Sequence, residues 1–211
     1  LGMEVRAERH GRAAGAVPRG LDHSAVVAGE RQHTIPGIPQ QSVAAAGQVV
    51  HVDVEPAELE RARGHSDRPA EEALATRLRG VLPPDVVVHR VTRAAEGFDA
   101  RFSATSRRYR YLVGDDPARV DPLRRREVVS LRTPLDVDAM NAASALLVGL
   151  HDFAAYCKPR EGATTIRTLL DYAWTREADG VLTARLEADA FCHSMVRSLA
   201  GALVAVAVVA V

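Results

Sequence analysis

FDARFSATSRRYRYLV, residues 98–113, is the stretch on which the reading of this 211-residue chain turns. Aromatic residues make up only 4% of the chain, yet Phe98, Phe102, Tyr109 and Tyr111 all fall within it. Arg101, Arg107, Arg108 and Arg110 are interleaved with them. From Arg108 onward the alternation predicts a strand. Tyr109, Tyr111 and Val113 share one face, and Arg108, Arg110 and Leu112 share the other. Rings beside fixed guanidinium groups can stack an extruded base and neutralise phosphates together. The same pattern also fits a core strand whose arginines face water. The residues alone leave both readings open.

Working outward, the charge around this stretch is uneven. Formal net charge is zero, which argues against indiscriminate nucleic-acid binding through overall charge. Between Arg101 and Arg132, however, nine arginines stand against the four acids Asp115, Asp116, Asp121 and Glu127. A basic stripe on a neutral chain is the distribution of a selective RNA-binding face. A solvated charged surface is the plainer alternative, and the interleaved rings favour function.

Three further stretches join the first in one ordered pattern. They are GQVVHVDV (47–54), LHDFAAYC with TTIRTL (150–169) and ADAFCHSMVRSLAGAL (188–203). Together with FSAT, the paired arginines and the tyrosine strand, they resemble the bacterial tRNA pseudouridine synthase A family, in the same order, from about residue 47 to 203. The resemblance implies an α+β pseudouridine synthase fold, with a mixed, mainly antiparallel sheet, flanking helices and an RNA-binding cleft. It also implies an isomerase that converts uridine to pseudouridine in the anticodon stem-loop (positions 38–40) of tRNA. The glycosidic bond breaks, the uracil rotates, and C5 rejoins the ribose. There is no redox change, so no cofactor is implied. The implied partners are tRNA and a second copy of the chain, with no membrane.

The resemblance also assigns residues. Tyr109 matches the family's uridine-stacking tyrosine. Arg197 matches the arginine of the MVR triplet, which pairs with the catalytic aspartate. Arg107, Arg108 and Arg110 would hold backbone phosphates, and Arg167 and His193 are further candidates for the same pocket. The aspartate itself has no match. With GQVVHVDV in register, Gln40 stands near its place, and no Asp or Glu occurs between Arg31 and Val52. Glutamine cannot supply a carboxylate nucleophile or base. A catalytically inactive RNA-binding relative, or a frame-damaged copy, is therefore the alternative to a working synthase. On that alternative no pseudouridine forms, and Arg197 either faces water or pairs with a different acid.

The rest of the chain reads as follows. Residues 1–46 are rich in turn formers and are expected to be an irregular or non-homologous lead-in. Residues 47–115 and 116–211 are expected as the two halves of the fold, the second cut short at its end. Strands are expected at 49–54, 85–91, 167–177 and 181–188, the last two joined at Asp179-Gly180. An acidic linker is expected after residue 54 and an arginine-rich loop over 117–126. Helices are expected over 69–80, from Asp136 to about Leu150 with Met140, Ala143, Leu147 and Leu150 on one face, and from about Ala190 with His193 and Arg197 on one face. The closing GALVAVAVVAV is too short to span a bilayer and is expected to be an exposed, aggregation-prone tail.

The first residues lack the apolar core of a signal peptide, and cytoplasm is the expected location. Cys157 and Cys192 are far apart in sequence and without metal-type spacing. They are expected to be buried, reduced thiols. The eight histidines form no HxxxH pair, so no zinc site is expected.

Overall fold

The computed structural model describes residues 24–33, 43–84 and 86–209, with backbone alone for 24–33, 43–46 and 209. They divide into two units, one of Ala45–Thr105 with β1 as far as Gln32, the other from Ser106 onward. The expected boundary lay between 115 and 116. It falls ten residues earlier because the tyrosine strand pairs with the C-terminal sheet.

The N-terminal unit holds a three-stranded sheet in the order β2-β1-β3, from β1 (Ser24–His33), β2 (Val43–Asp53) and β3 (Val86–Arg93). β1 runs antiparallel to β3, from Ala25 opposite Arg93 to Arg31 opposite Val86, with an irregularity at Ala28/Gly29. Over residues 24–33 this replaces the irregular lead-in expected for 1–46, of which 1–23 and 34–42 lie outside the described residues. A strand in SAVVAGERQH escapes a search for alternation, because its pairing with VVVHRVTR is non-local. Helix α2 (Ala70–Val81) covers the sheet where expected. Ala75, Val88 and Val91 are buried, with Leu74, Leu78 and Leu82 packed around them.

The supposed acidic linker is a helix, α1 (Pro56–Arg63). Proline in the first turn fits the helix start, and Glu58–Arg61 and Glu60–Arg63 pair one turn apart. Its one buried residue, Leu59, leaves no apolar period to read.

The C-terminal unit holds a five-stranded sheet in the order β5-β4-β8-β7-β6. Its strands are β4 (Arg107–Gly114), β5 (Val128–Ser130), β6 (Gly149–Asp152), β7 (Ile166–Arg176) and β8 (Leu182–Ala188). Only β4–β5 is parallel; the other pairings are antiparallel. The architecture is thus the expected α+β with a mixed, mainly antiparallel sheet. The β7–β8 hairpin turns at Asp179-Gly180 as expected, with Gly180 at φ +86 and the Asp179 side chain accepting from the Val181 N–H.

β8 lies at the centre, and Leu182, Ala184, Leu186 and Ala188 on one face are completely buried. Helices α3 (Val137–Ala145) and α4 (Met195–Val209) supply Met140, Met195, Leu199 and Leu203 to the same core. Asp136 caps α3 as expected, accepting from the Asp138 and Ala139 N–H groups.

Helix α3 stops at Ala145 rather than near Leu150. Gly149 at φ +120 leaves helical geometry, and β6 begins there, with Leu150 67% exposed. As far as Val209, the apolar C-terminal segment is not a free tail. It is the second half of α4, with Leu203 and Ala207 buried and Val206 and Val208 partly exposed. Among the described residues, no helix is long and apolar enough to cross a membrane.

Candidate functional site

Strand β4 sets the site's geometry. Its register with β8 places Tyr109 opposite Leu186 and Tyr111 opposite Ala184. β7 continues the two rows with Tyr172 and Trp174. Both tyrosines therefore lie on the face that packs against α4, as the alternation predicted. The ring of Phe191, from the segment between β8 and α4, meets the Tyr109 ring edge-on, with centroids 4.8 Å apart. Such a contact fixes a ring's orientation as well as its burial.

Burial pushes the Tyr109 hydroxyl above the usual phenol range, and the nearby positive charge of Arg107 opposes it. Burial does the same at Tyr111, where the opposing charge is Arg197. Both phenols stay neutral at physiological pH and can donate hydrogen bonds. Tyr109 and Tyr111 pack against the same core as Met195, Val196 and Leu199 of α4, the helix whose first turn carries Arg197.

Arg197 sits in the first turn of α4, half-buried. Its Nη2 donates to Ser194 Oγ at 3.2 Å. Among the described residues no carboxylate pairs with it. Its hydrogen-bond partner is thus a neutral hydroxyl, while the side chain is half-exposed and an acid from residues 1–23 or 34–42 would lie outside the described residues. Gln40, near the expected place of a catalytic aspartate, lies outside the described residues.

His193 was expected on the helix, sharing a face with Arg197. It precedes the helix instead, because Ser194 adopts φ +71 and α4 begins only at Met195. The His193 ring is exposed, with Nδ1 3.1 Å from Ser194 Oγ, so His193 and Arg197 share that hydroxyl. The His193 carbonyl accepts from the Lys158 N–H at 2.9 Å.

The cysteines are not separate thiols. Cys157 and Cys192 form a disulfide, with Cα atoms 5.6 Å apart, and both are half-exposed. The physical reason is topological. Hydrogen bonding of Asp189 N–H to the Thr168 carbonyl and of Phe153 N–H to the Thr165 carbonyl draws the segments flanking β7 together. A separation of 35 residues hid that proximity.

The remaining arginines are dispersed. Arg107 Nη1 donates to the Asp189 carbonyl at 3.3 Å. Arg108 lies on the sheet face away from the tyrosines, with its Nε 2.7 Å from Glu187 Oε2. That carboxyl is held below its usual range by Arg108, then by Ser106, with burial opposing. Arg110 is opposite Arg185 on the same outer face, and both are exposed. Arg167 stands on β7 opposite His151 of the edge strand β6, with Nη1 on the Ile166 carbonyl and Nε buried without a partner among the described residues. Tyr109, Arg107 and Arg197 thus contact the segment entering α4, which carries His193, while Arg108 and Arg110 lie on the other sheet face.

Within the N-terminal unit, two of the motif stretches meet. His51 Nδ1, from β2, accepts from the Ala100 N–H at 3.0 Å, and its ring meets Phe98 edge-on at 6.4 Å. Beyond that turn, Phe102 is 78% exposed with the Arg101 guanidinium 5.2 Å from its ring centroid. Sequence reasoning missed the contact of Phe191 with Tyr109, the role of Ser194 and the cysteine pair. Ser194 carries no sequence signal, because a left-handed serine is set by its surroundings.

A family model for tRNA pseudouridine synthase matches residues 143–209. The chain is 52% identical over 179 residues to a tRNA pseudouridine synthase A of Leifsonia xyli subsp. xyli, covering 82% of this chain and 62% of that protein. A Streptomyces griseus protein of the same name is 55% identical over 170 residues, covering 80% and 57%. One from Mycobacterium leprae is 47% identical over 173 residues, covering 81% and 60%. The chain spans about three fifths of the length of these relatives.

Proposed function

The chain belongs to the bacterial tRNA pseudouridine synthase A family, and on that premise we propose that it binds tRNA and isomerises uridine to pseudouridine in the anticodon stem-loop. The supporting observation is that Tyr109 on β4 packs against the core that α4 covers, the helix whose first turn carries Arg197.

In this reading the target uridine leaves its stack, at a cost of roughly a few kcal/mol. Stacking on Tyr109 offsets about 1–3 kcal/mol of that. Arg107, two residues before Tyr109 on the same face of β4, would meet a neighbouring phosphate. Arg197 presents a charge for the carboxylate that starts the reaction, or for the nucleotide backbone. His193 and Arg167 are outer contacts, and Arg108 and Arg110 track the RNA on the other sheet face. The isomerisation conserves every atom and electron, so the proposed role of the protein is extrusion, orientation and proton handling. A homodimer in the cytoplasm belongs to the same proposal, on the family's support.

The test is pseudouridine formation in unmodified tRNA, measured beside RNA affinity. Product in excess of protein supports the isomerase. Stoichiometric binding without product would make the chain an RNA-binding member of the family without turnover. Absence of both overturns the reading.

A further inference from the structure

We infer that Ser194 is a positioning residue that restrains the Arg197 guanidinium at the entry to α4, the helix that packs on the core face carrying the tyrosines. This deepens the functional reading above and rests on it. Among the described residues, Ser194 is the one non-glycine with positive φ, at +71. Left-handed backbone is unfavourable for an L side chain, and such residues persist where their surroundings over-determine them.

The surroundings here do so. Cys192 is tied to Cys157, the His193 carbonyl takes the Lys158 N–H, and the Ser194 carbonyl takes the Ser198 N–H at 3.0 Å. A glycine would hold this conformation without strain. What serine adds is its hydroxyl. Oγ accepts from Arg197 Nη2 at 3.2 Å and lies 3.1 Å from His193 Nδ1. A hydroxyl can accept from one neighbour and donate to the other at once. It therefore joins Arg197 and His193 and restrains a guanidinium that has no carboxylate among the described residues.

The experiment compares Ser194→Gly and Ser194→Asn with the unaltered full chain. Three quantities are read: thermal midpoint, the rate at which phenylglyoxal modifies Arg197 (followed by peptide mass spectrometry), and affinity for unmodified anticodon stem-loop RNA. Glycine should keep or raise the midpoint. It should nevertheless speed Arg197 modification and weaken RNA binding by about fivefold each, the size of one hydrogen bond. Asparagine tolerates left-handed backbone and carries a side-chain acceptor, so it should return both values toward the unaltered chain. Wild-type modification rate and affinity in Ser194→Gly would overturn the inference. If the unaltered chain binds no RNA, the functional reading falls, and the Arg197 modification rates still decide the role of Ser194.

Discussion

Asp115 and Arg176 face each other through two parallel hydrogen bonds, Oδ1 to Nη1 and Oδ2 to Nη2, each 2.8 Å long. Asp115 follows the end of β4 and Arg176 ends β7, so the pair ties the tyrosine strand to the hairpin across β8. The carboxylate also accepts the Leu135 N–H at 2.9 Å. Arg176 holds the Asp115 carboxyl below its usual range, burial opposes this, and the Leu135 N–H adds to the lowering. A carboxyl depressed in the folded state adds stability above its unfolded pKa and loses it as pH falls through the folded value. Stability should therefore be fully present above about pH 5 and decline below about pH 4. Asp115→Asn should cost about 2 kcal/mol at neutral pH, discounted because the Arg176 side chain is 38% exposed. Urea midpoints from pH 3 to 7 check this: the variant should lose much of the acid-side slope.

Tyr109 carries two roles that substitution separates. Tyr109→Phe keeps the ring against Phe191 and should leave the fold and most RNA affinity intact. Tyr109→Ala should weaken binding of anticodon stem-loop RNA by about tenfold or more. Fluorescence anisotropy measures the change, with a thermal midpoint recorded for each variant. Unchanged affinity in Tyr109→Ala would return the strand to a purely structural role.

Reducing the Cys157–Cys192 bridge releases a loop of 35 residues. Chain-entropy reasoning puts its contribution at about 3–4 kcal/mol. Dithiothreitol should lower the thermal midpoint of the unaltered chain. It should have no effect on a chain carrying Cys157→Ser and Cys192→Ser. Calorimetry with and without reductant makes the comparison.

Asn141 replaces a missing neighbour at the edge of β7. Its Nδ2 donates to the Trp174 carbonyl at 3.0 Å, and its Oδ1 accepts the Trp174 N–H at 2.8 Å. Asn141→Ala removes both partners and should destabilise the chain by about 2 kcal/mol. Asn141→Asp keeps the acceptor but sets a second carboxylate oxygen against the Trp174 carbonyl, so at neutral pH its cost should be at least as large and should fall as the carboxyl is protonated. Chemical denaturation of the three proteins tests the order.

Much of the C-terminal unit was legible. The alternation of Arg108–Val113, the Asp179-Gly180 turn and the Asp136 cap are local signals, and local hydrogen bonding enforces them. β1 was illegible because its partner β3 lies over fifty residues away. α1 was illegible because it buries one residue. The end of α3 was misread because a glycine and a strand pairing overrode a helical period that runs on to Leu150.

By itself, the sequence determined which side chains share a face of β4, because the pleat alternates whatever surrounds it. It also determined the family, through four ordered stretches of residues. Only the tertiary structure decided which residues meet: Phe191 on Tyr109, Cys157 on Cys192, and a left-handed Ser194 whose hydroxyl lies between Arg197 and His193. Those contacts join residues from β4, from the segment after β6 and from the entry to α4. Their proximity comes from sheet pairing across the chain, which no local pattern encodes.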